Sequence, residues 1–377
     1  MNFSALDTLL KQLPERGIPG GELLVTQNHQ VLYHQHFGHS DASASKPSAS
    51  DDLYWIFSMT KIFTCTCAMR LIEEGKLALS DPVSRYIPAF ADLSVADKQG
   101  NRQPAKQTMT VLHLFTMTGG LNYSLRSPSM AEAFSHPDMT TLDFANAAAK
   151  VPLGFEPGTH YCYSHCHDVL AAVVEVASGK RFSDYVDELI FRPLGLQDIG
   201  FRPNEEQLAR FAQQYLYQNG TGKAVPQPLK NNYAPFAQYD SGGAGIFSNA
   251  ESVARFLDTL ACEGQAETGY SMLLPQTVAQ MGENRLCDDA LNDFVSRRFF
   301  GYGYGLCGRV HIAPSRSFSL SPAGEFGWDG AAGAYGMIDT KHHLSICYVQ
   351  HVMGCNYAYQ LLHPYIRNTV YQALDLS

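Results

Sequence analysis

The sequence predicts a mixed α/β (α+β) protein: an antiparallel sheet flanked by helices, contributed by both chain ends, with an all-helical segment inserted between them. Three observations carry this. Two apolar runs near the N-terminus, 22–26 and 31–37, face each other across Gln27-Asn28-His29-Gln30 and read as a β-hairpin. From residue 301 onward strand-like runs recur, at 302–311, around 324–338 and at 344–351. Between the two ends, roughly 56–192 is rich in apolar residues at helical spacing, punctuated by Gly and Pro. The expected organisation is an α/β lobe from 1–55 and 236–377, and a helical lobe from 56–235.

The elements follow in order. Leu6, Leu9, Leu10 and Leu13 lie at helical spacing, with Ser4 as the expected N-cap, Asp7 at the capping-box position, and Pro14 and Gly17 closing the helix. The stretch 39–51 (HSDASASKPSASD) is small, polar and Pro-containing, hence a loop. One helix is expected to start near Ser58 and stop at Gly75, and another to start near Ser164 and stop at Gly179. Residues 196–240, mixed and rich in Gln, Asn and Pro, read as a linker or long loop. A helix follows over 248–260. Asp339-Thr340-Lys341-His342 is the expected turn between the last two strands. A final amphipathic helix carries Tyr357, Leu361, Leu362, Tyr365 and Val370.

Composition excludes several classes. The 377 residues are 45% apolar, enough to fill a core, so wholesale disorder is not expected. A net charge of −9 without a basic block makes a poor nucleic-acid binder. No apolar run approaches the roughly 20 residues that span a bilayer. The first 17 residues lack an apolar signal-peptide core and carry Asp7 and Glu15. The nine cysteines are odd in number and scattered, which reads as reduced thiols in a cytoplasmic protein.

The nucleophile signal is Ser58-Met59-Thr60-Lys61, a Ser-x-x-Lys match. With 28 Ser and 11 Lys, chance alone supplies about one such match, and Ser43-Ala44-Ser45-Lys46 is a second. Context separates them. Ser43 lies in the polar loop, where nothing fixes its lysine. Ser58 follows the apolar Leu53-Tyr54-Trp55-Ile56-Phe57 and opens a helix, so Lys61 falls on the same helix face. A serine at a helix N-terminus also has unpaired backbone N–H groups nearby, which favour an oxyanion. The alternative is that Ser58 is an N-cap and Lys61 a surface cation.

The surrounding wording resembles the serine β-lactamase-related superfamily, which includes class C β-lactamases, D-alanyl-D-alanine carboxypeptidases and family VIII carboxylesterases. The matching segments are 57–64 (FSMTKIFT), 71–88 (LIEEGKLALSDPVSRYIP), 110–121 (TVLHLFTMTGGL), 156–164 (EPGTHYCYS), 193–196 (PLGL), 241–248 (SGGAGIFS) and 326–333 (FGWDGAAG). They occur in the family's order over about residues 20–350. The Ser-Met-Thr-Lys wording with a Trp-x-Gly third motif resembles the carboxylesterase branch most. The resemblance implies a β-lactamase/transpeptidase-like fold with the active site where the two lobes meet. It implies that Ser58 is the acylated nucleophile, that Lys61 and Tyr163 activate it, and that the N–H groups of Ser58 and Ala331 form the oxyanion hole. Free Lys and Tyr titrate near 10.4 and 10, so each needs its partner and a partly dry site to act as a base. Which of the two takes the serine proton stays open.

Two motifs depart from the lactam-hydrolysing pattern. Trp328-Asp329-Gly330 stands where those relatives carry Lys-Thr-Gly or His-Thr-Gly, so the cation and hydroxyl that hold a substrate carboxylate are missing. Gly330 allows close approach to the strand, and Asp329 adds a negative charge that would repel anionic substrates. Poor β-lactam turnover and a preference for neutral or cationic esters or amides are expected. Tyr163-Ser164-His165 replaces Tyr-x-Asn, and His165 is either a donor to a substrate carbonyl or a hydrogen-bonded structural histidine. Trp328 is either a substrate contact or a wall beneath the strand.

Cys162, His165, Cys166 and His167 invite a metal reading, but no second pair at zinc spacing accompanies them, so no metal and no cofactor are expected. No Gly-x-Ser-x-Gly elbow is present. The expected function is a serine hydrolase acting through an acyl-enzyme on a small-molecule ester or amide, most like a carboxylesterase. The alternatives are β-lactamase or D-Ala-D-Ala carboxypeptidase activity, or a catalytically idle ligand-binding relative.

Overall fold

The computed structural model describes residues 1–97, 99–296 and 299–376. Its centre is one antiparallel sheet. Strands β1 (Gly20–Gln27) and β2 (Gln30–Gly38) form the expected hairpin, closed by Asn28 and His29 with φ of 49° and 64°, the left-handed pair whose twist matches the strands of a two-residue turn. The chain returns to the sheet with β3 (Tyr302–Tyr304), β4 (Arg309–His311), β5 (Phe326–Asp329), β6 (Tyr335–Asp339) and β7 (Leu344–Gln350). The order is β3-β4-β5-β6-β7-β1-β2, and the N-terminal hairpin joins through β1 and β7 in the register Gly21↔Gln350 to Gln27↔Leu344.

Helices α1 (Ser4–Gln12), α2 (Thr60–Glu73), α3 (Cys166–Ser178), α4 (Ala250–Ala261) and α5 (His363–Leu374) build the layers around it, α3 by packing on α2. On one face Leu23, Val25, Met337 and Ile346 pack with Leu6 and Leu10 of α1 and Ile366 and Val370 of α5. On the other, Leu24, Ile338, Cys347 and Val349 join the larger core with Val253 and Leu257 of α4 and Ile62 and Phe63 of α2. With both faces covered, six successive residues of β1 are buried and the strand shows no polar alternation. The core runs on into α3, which Gly179 ends in the left-handed conformation, φ 70°.

Several elements differ from the sequence expectation. The N-cap of α1 is Phe3, and Ser4 already lies inside the helix. The segment 196–240 is no simple linker: it holds the antiparallel strand pair Gln214–Gln218 and Lys223–Gln227, and the first of these pairs parallel with Val352–Met353. One side of that hairpin faces solvent, so its sequence is as polar as a loop. Residues 302–311 fold into two antiparallel strands, turned at 305–308 where the Gly305 N–H donates to the Gly308 carbonyl at 2.9 Å. Residues 324–338 likewise split into β5 and β6. At the C-terminus, Leu361 and Tyr365 are 63% and 50% exposed rather than core. Among the described residues, no helix is long and apolar enough to cross a membrane.

Candidate active site

Ser58 stands on a single 3₁₀ turn, Phe57–Met59, that feeds directly into α2. Phe57 has a left-handed backbone, φ 45°, a conformation that costs a non-glycine residue roughly 1–2 kcal/mol. Its buried ring, packed with Leu53, Trp55, Phe247 and Ala332, holds it there. The turn therefore presents Ser58 at a fixed point ahead of the helix. Lys61, one helical turn on, is fully buried, and its Nζ lies 3.4 Å from Ser58 Oγ.

A second layer fixes the lysine. Lys61 Nζ donates to the Gly243 carbonyl at 2.7 Å. The loop carrying that carbonyl is tied down by Thr64, which donates to Gly242 O at 2.7 Å, and by the fully buried Asp168. Asp168 Oδ1 accepts from Ser241 Oγ at 2.5 Å, from Tyr239 at 3.1 Å and from the Gly243 N–H at 3.1 Å. Glycine is required at both 242 and 243: a Cβ would meet the His167 carbonyl or the Asp168 carboxylate at 2.5 Å. This accounts for the Ser-Gly-Gly wording at 241–243 in physical terms.

Aromatic rings surround the ammonium. Lys61 Nζ lies 4.8 Å from the Tyr163 ring centre and 5.7 Å from that of Tyr123, and the two rings stack at 5.4 Å. Lys61 Nζ is also 3.5 Å from the Tyr123 hydroxyl. Burial, reinforced by neighbouring Tyr163 and Asp168, raises the Tyr123 phenol well above its ordinary pKa, so it stays protonated. The Trp328 indole N–H donates to the Tyr163 hydroxyl oxygen at 3.2 Å. Ser58, Lys61, Tyr163 and Trp328 are thus brought together from the 3₁₀ turn and α2, the segment before α3, and β5. His165 sits one layer deeper, 3% exposed, with its ring 4.5 Å from Tyr123 and 5.1 Å from Phe144. Burial lowers its pKa to about 4, so it is neutral at physiological pH.

The end of β5 closes the site. A side chain at Gly330 would meet the Ile56 carbonyl at 2.3 Å, so the glycine lets the strand abut the turn that carries Ser58. The Tyr359 hydroxyl lies 2.9 Å from Gly330 O and 2.7 Å from Ala331 O, tying this strand end to the C-terminal segment. Asp329 is not a lone charge. It accepts from Arg309 Nη1 at 2.8 Å, and although burial works to raise its pKa, Arg309 and then His363 outweigh that and lower it. The repulsion expected from Asp329 is accordingly offset by the buried Arg309. Ser58, Tyr163, Trp328, Asp329, Gly330 and Ala331 all line one cavity of 780 Å³. Its apolar walls include Phe299, Phe300, Phe318 and Leu361.

Comparison with known proteins fits this arrangement. The Beta-lactamase family model matches residues 6–369. The chain belongs to the Beta-lactamase family. The resemblance, first seen in motifs over about 20–350, extends to nearly the whole chain. Among its relatives, Protein Rv1367c of Mycobacterium tuberculosis is 30% identical over 371 residues, covering 93% of this chain and 90% of that protein. Esterase EstB of Burkholderia gladioli is 30% identical over 366 residues, covering 90% and 88%. The structure of EstCE1, described as a hydrolase with promiscuous acyltransferase activity, superposes with a TM-score of 0.79 at 24% identity, covering 98% of both chains. The fold is therefore the β-lactamase/transpeptidase-like one expected, and the family is one of serine hydrolases.

Two residues of this candidate site escaped sequence reasoning. Tyr123 lies two positions beyond the quoted 110–121 segment, and one tyrosine among 20 carries no signal of its own. Asp168 is five residues after Tyr163, on the buried first turn of α3. An acid in an otherwise apolar helix face was the available clue.

Proposed function

We propose that the protein is a carboxylesterase-type serine hydrolase that forms an acyl-enzyme on Ser58. The observation that carries this reading is Lys61 Nζ 3.4 Å from Ser58 Oγ, held from behind by Gly243 and capped by two tyrosines. Ser58 Oγ attacks the ester carbonyl carbon and its proton passes into the Lys61/Tyr163 pair. The carbon–oxygen bond to the alcohol then breaks, and the alcohol leaves with a proton returned by that pair. Water adds to the acyl-serine and gives a proton to the same pair, which returns it to Ser58 Oγ as the acyl–Oγ bond breaks and the carboxylic acid departs. The indole N–H of Trp328 donates to the Tyr163 hydroxyl oxygen and holds the phenol in place beside Lys61. Tyr123 serves as a donor rather than a base. The backbone N–H groups of Ser58 and Ala331 take up the oxyanion, each at about 3 kcal/mol in comparable sites.

The same reading extends to substrate. Asp329 is paired with Arg309, so the third motif offers no unpaired cation to a substrate carboxylate. The aromatic and aliphatic walls at Phe299, Phe300, Phe318 and Leu361 favour an ester with a large apolar group. The division into an α/β lobe (1–55, 236–377) and a helical lobe (56–235) belongs to this proposal. It is supported by Ser58, Tyr163 and Trp328 coming from both parts of the chain. A panel of p-nitrophenyl esters, D-amino-acid peptides and nitrocefin tests the assignment. Efficient ester hydrolysis with slow nitrocefin turnover supports it. Nitrocefin or peptide turnover exceeding that of every ester overturns it.

A further inference from the structure

The hairpin at the sheet edge carries an arrangement unrelated to the Ser58 chemistry. In the β1–β2 register Glu22 stands opposite His36 and Leu24 opposite His34, and the alternation of a strand puts both histidines on the face of Glu22. The Glu22 carboxylate is fully buried. Its Oε1 lies 2.5 Å from His34 Nε2 and 3.2 Å from His36 Nε2, and the two imidazole centres are 4.8 Å apart. Glu22 Oε2 is buried and has no hydrogen-bond partner, and neither does His36 Nε2 by hydrogen-bond geometry. A buried carboxylate with an unpaired oxygen is costly unless something else compensates it. The two imidazoles are 26% and 29% exposed, so the convergence point opens to solvent on their side. Asp52 and Glu251 add negative potential at His36. None of the three residues lines the cavity at Ser58.

One ion satisfies all of these features. The three ligand atoms lie within 4.8 Å of one another, a span that bonds of about 2.0–2.2 Å from nitrogen and oxygen to one metal can close with small side-chain shifts. Two imidazoles and one carboxylate suit a borderline transition metal better than calcium or magnesium, which prefer all-oxygen shells. We propose that Glu22, His34 and His36 bind one divalent metal ion of the zinc type, with the remaining position taken by water, and that the ion clamps edge strand β2 to β1.

Among the described residues a second convergent group exists, His29, Asp258 and Cys262. There both carboxylate oxygens are already used, by the His29 backbone and ring, and burial pushes the Cys262 thiol up to about 12, which disfavours the thiolate a metal needs. The 162–167 cluster weighed from sequence is not among the convergent groups.

Titration of the metal-free full chain with Zn²⁺ and Co²⁺, at neutral pH in a chelator-free buffer, tests the site. The expected result is a single tight equivalent, a Tm that rises with metal concentration, and a Co²⁺ spectrum of visible ligand-field bands without a thiolate charge-transfer band. Binding is lost in the double variant His34→Gln/His36→Gln, whose substituted side chains are partly exposed. It survives in Cys262→Ser. Absence of binding by the wild type, binding unchanged in the double variant, or a thiolate band abolished by Cys262→Ser each overturns the proposal. If the double variant fails to fold, the wild-type Co²⁺ spectrum and Glu22→Gln decide the matter in the same terms.

Discussion

The indole of Trp328 donates its N–H to the hydroxyl oxygen of Tyr163 at 3.2 Å, joining the third sequence motif to the second across 165 residues of chain. The rings themselves are 5.5 Å apart, so indole and phenol form one unit beside Lys61. If that bond positions Tyr163 for proton transfer, the two residues must be coupled. Trp328→Phe, which keeps the ring and removes the donor, should lower kcat about 10-fold, the scale of one hydrogen bond. Tyr163→Phe should lower it about 100-fold or more, the scale of lost proton transfer. The double variant should be no worse than Tyr163→Phe alone. Additive losses in steady-state ester hydrolysis would show that Trp328 acts separately.

Gly330 allows β5 to touch the turn bearing Ser58, with no room for a Cβ beside the Ile56 carbonyl. Gly330→Ala must push Ala331 away from Ser58. Displacements near 1 Å at a reacting centre cost about 100-fold, so kcat/KM should fall by at least about that factor. A normal rate in a folded Gly330→Ala protein would separate this strand end from the chemistry.

Asp168 acts at one remove, through the loop whose Gly243 carbonyl holds Lys61. Asp168→Asn keeps an acceptor at Oδ1 but removes the charge, and charged hydrogen bonds carry about 1.5–3 kcal/mol. The expected result is a fall in kcat of about 10-fold or more with KM nearly unchanged. A change confined to Tm would reduce Asp168 to a structural role.

Stability should fall in mild acid. Burial lowers the pKa of His165 and of His351 to about 4 and that of His167 to about 3, against 6.5 in the unfolded chain. Because the folded values are depressed, the unfolded state binds more protons below pH 6.5. The contribution is present above that pH and is lost as pH falls toward the folded values. Each histidine can remove up to about 1.4 kcal/mol per pH unit in that window. Urea unfolding at pH 7, 6 and 5 should show a steep decline, and His351→Gln should flatten it. A flat profile would mean these rings are protonated in the folded protein.

Much of this was legible in the sequence, for identifiable reasons. The Asn28-His29 hairpin, the strand-like runs after 301 and the helices ending at Gly75 and Gly179 all rest on local signals. The Ser58–Lys61 spacing is itself a helix-geometry statement, and the ordered motifs named the family. What escaped depends on long-range packing. The polar hairpin 214–227 looked like a linker because its partner, Val352–Met353, lies far along the chain. Asp329 looked like a free charge because Arg309, on the neighbouring strand β4, reveals itself only in the sheet. Both readings of His165 stayed open in the sequence because nothing there shows that Tyr123 and Phe144 pack against it.

The most direct test of the central claim is the intact mass of the protein after mixing with a p-nitrophenyl ester and quenching in acid, or after reaction with a fluorophosphonate. A covalent adduct should appear on the peptide containing Ser58, and none should form in Ser58→Ala. No adduct on the wild-type chain, or an adduct that persists in Ser58→Ala, would contradict acyl-enzyme chemistry at this serine.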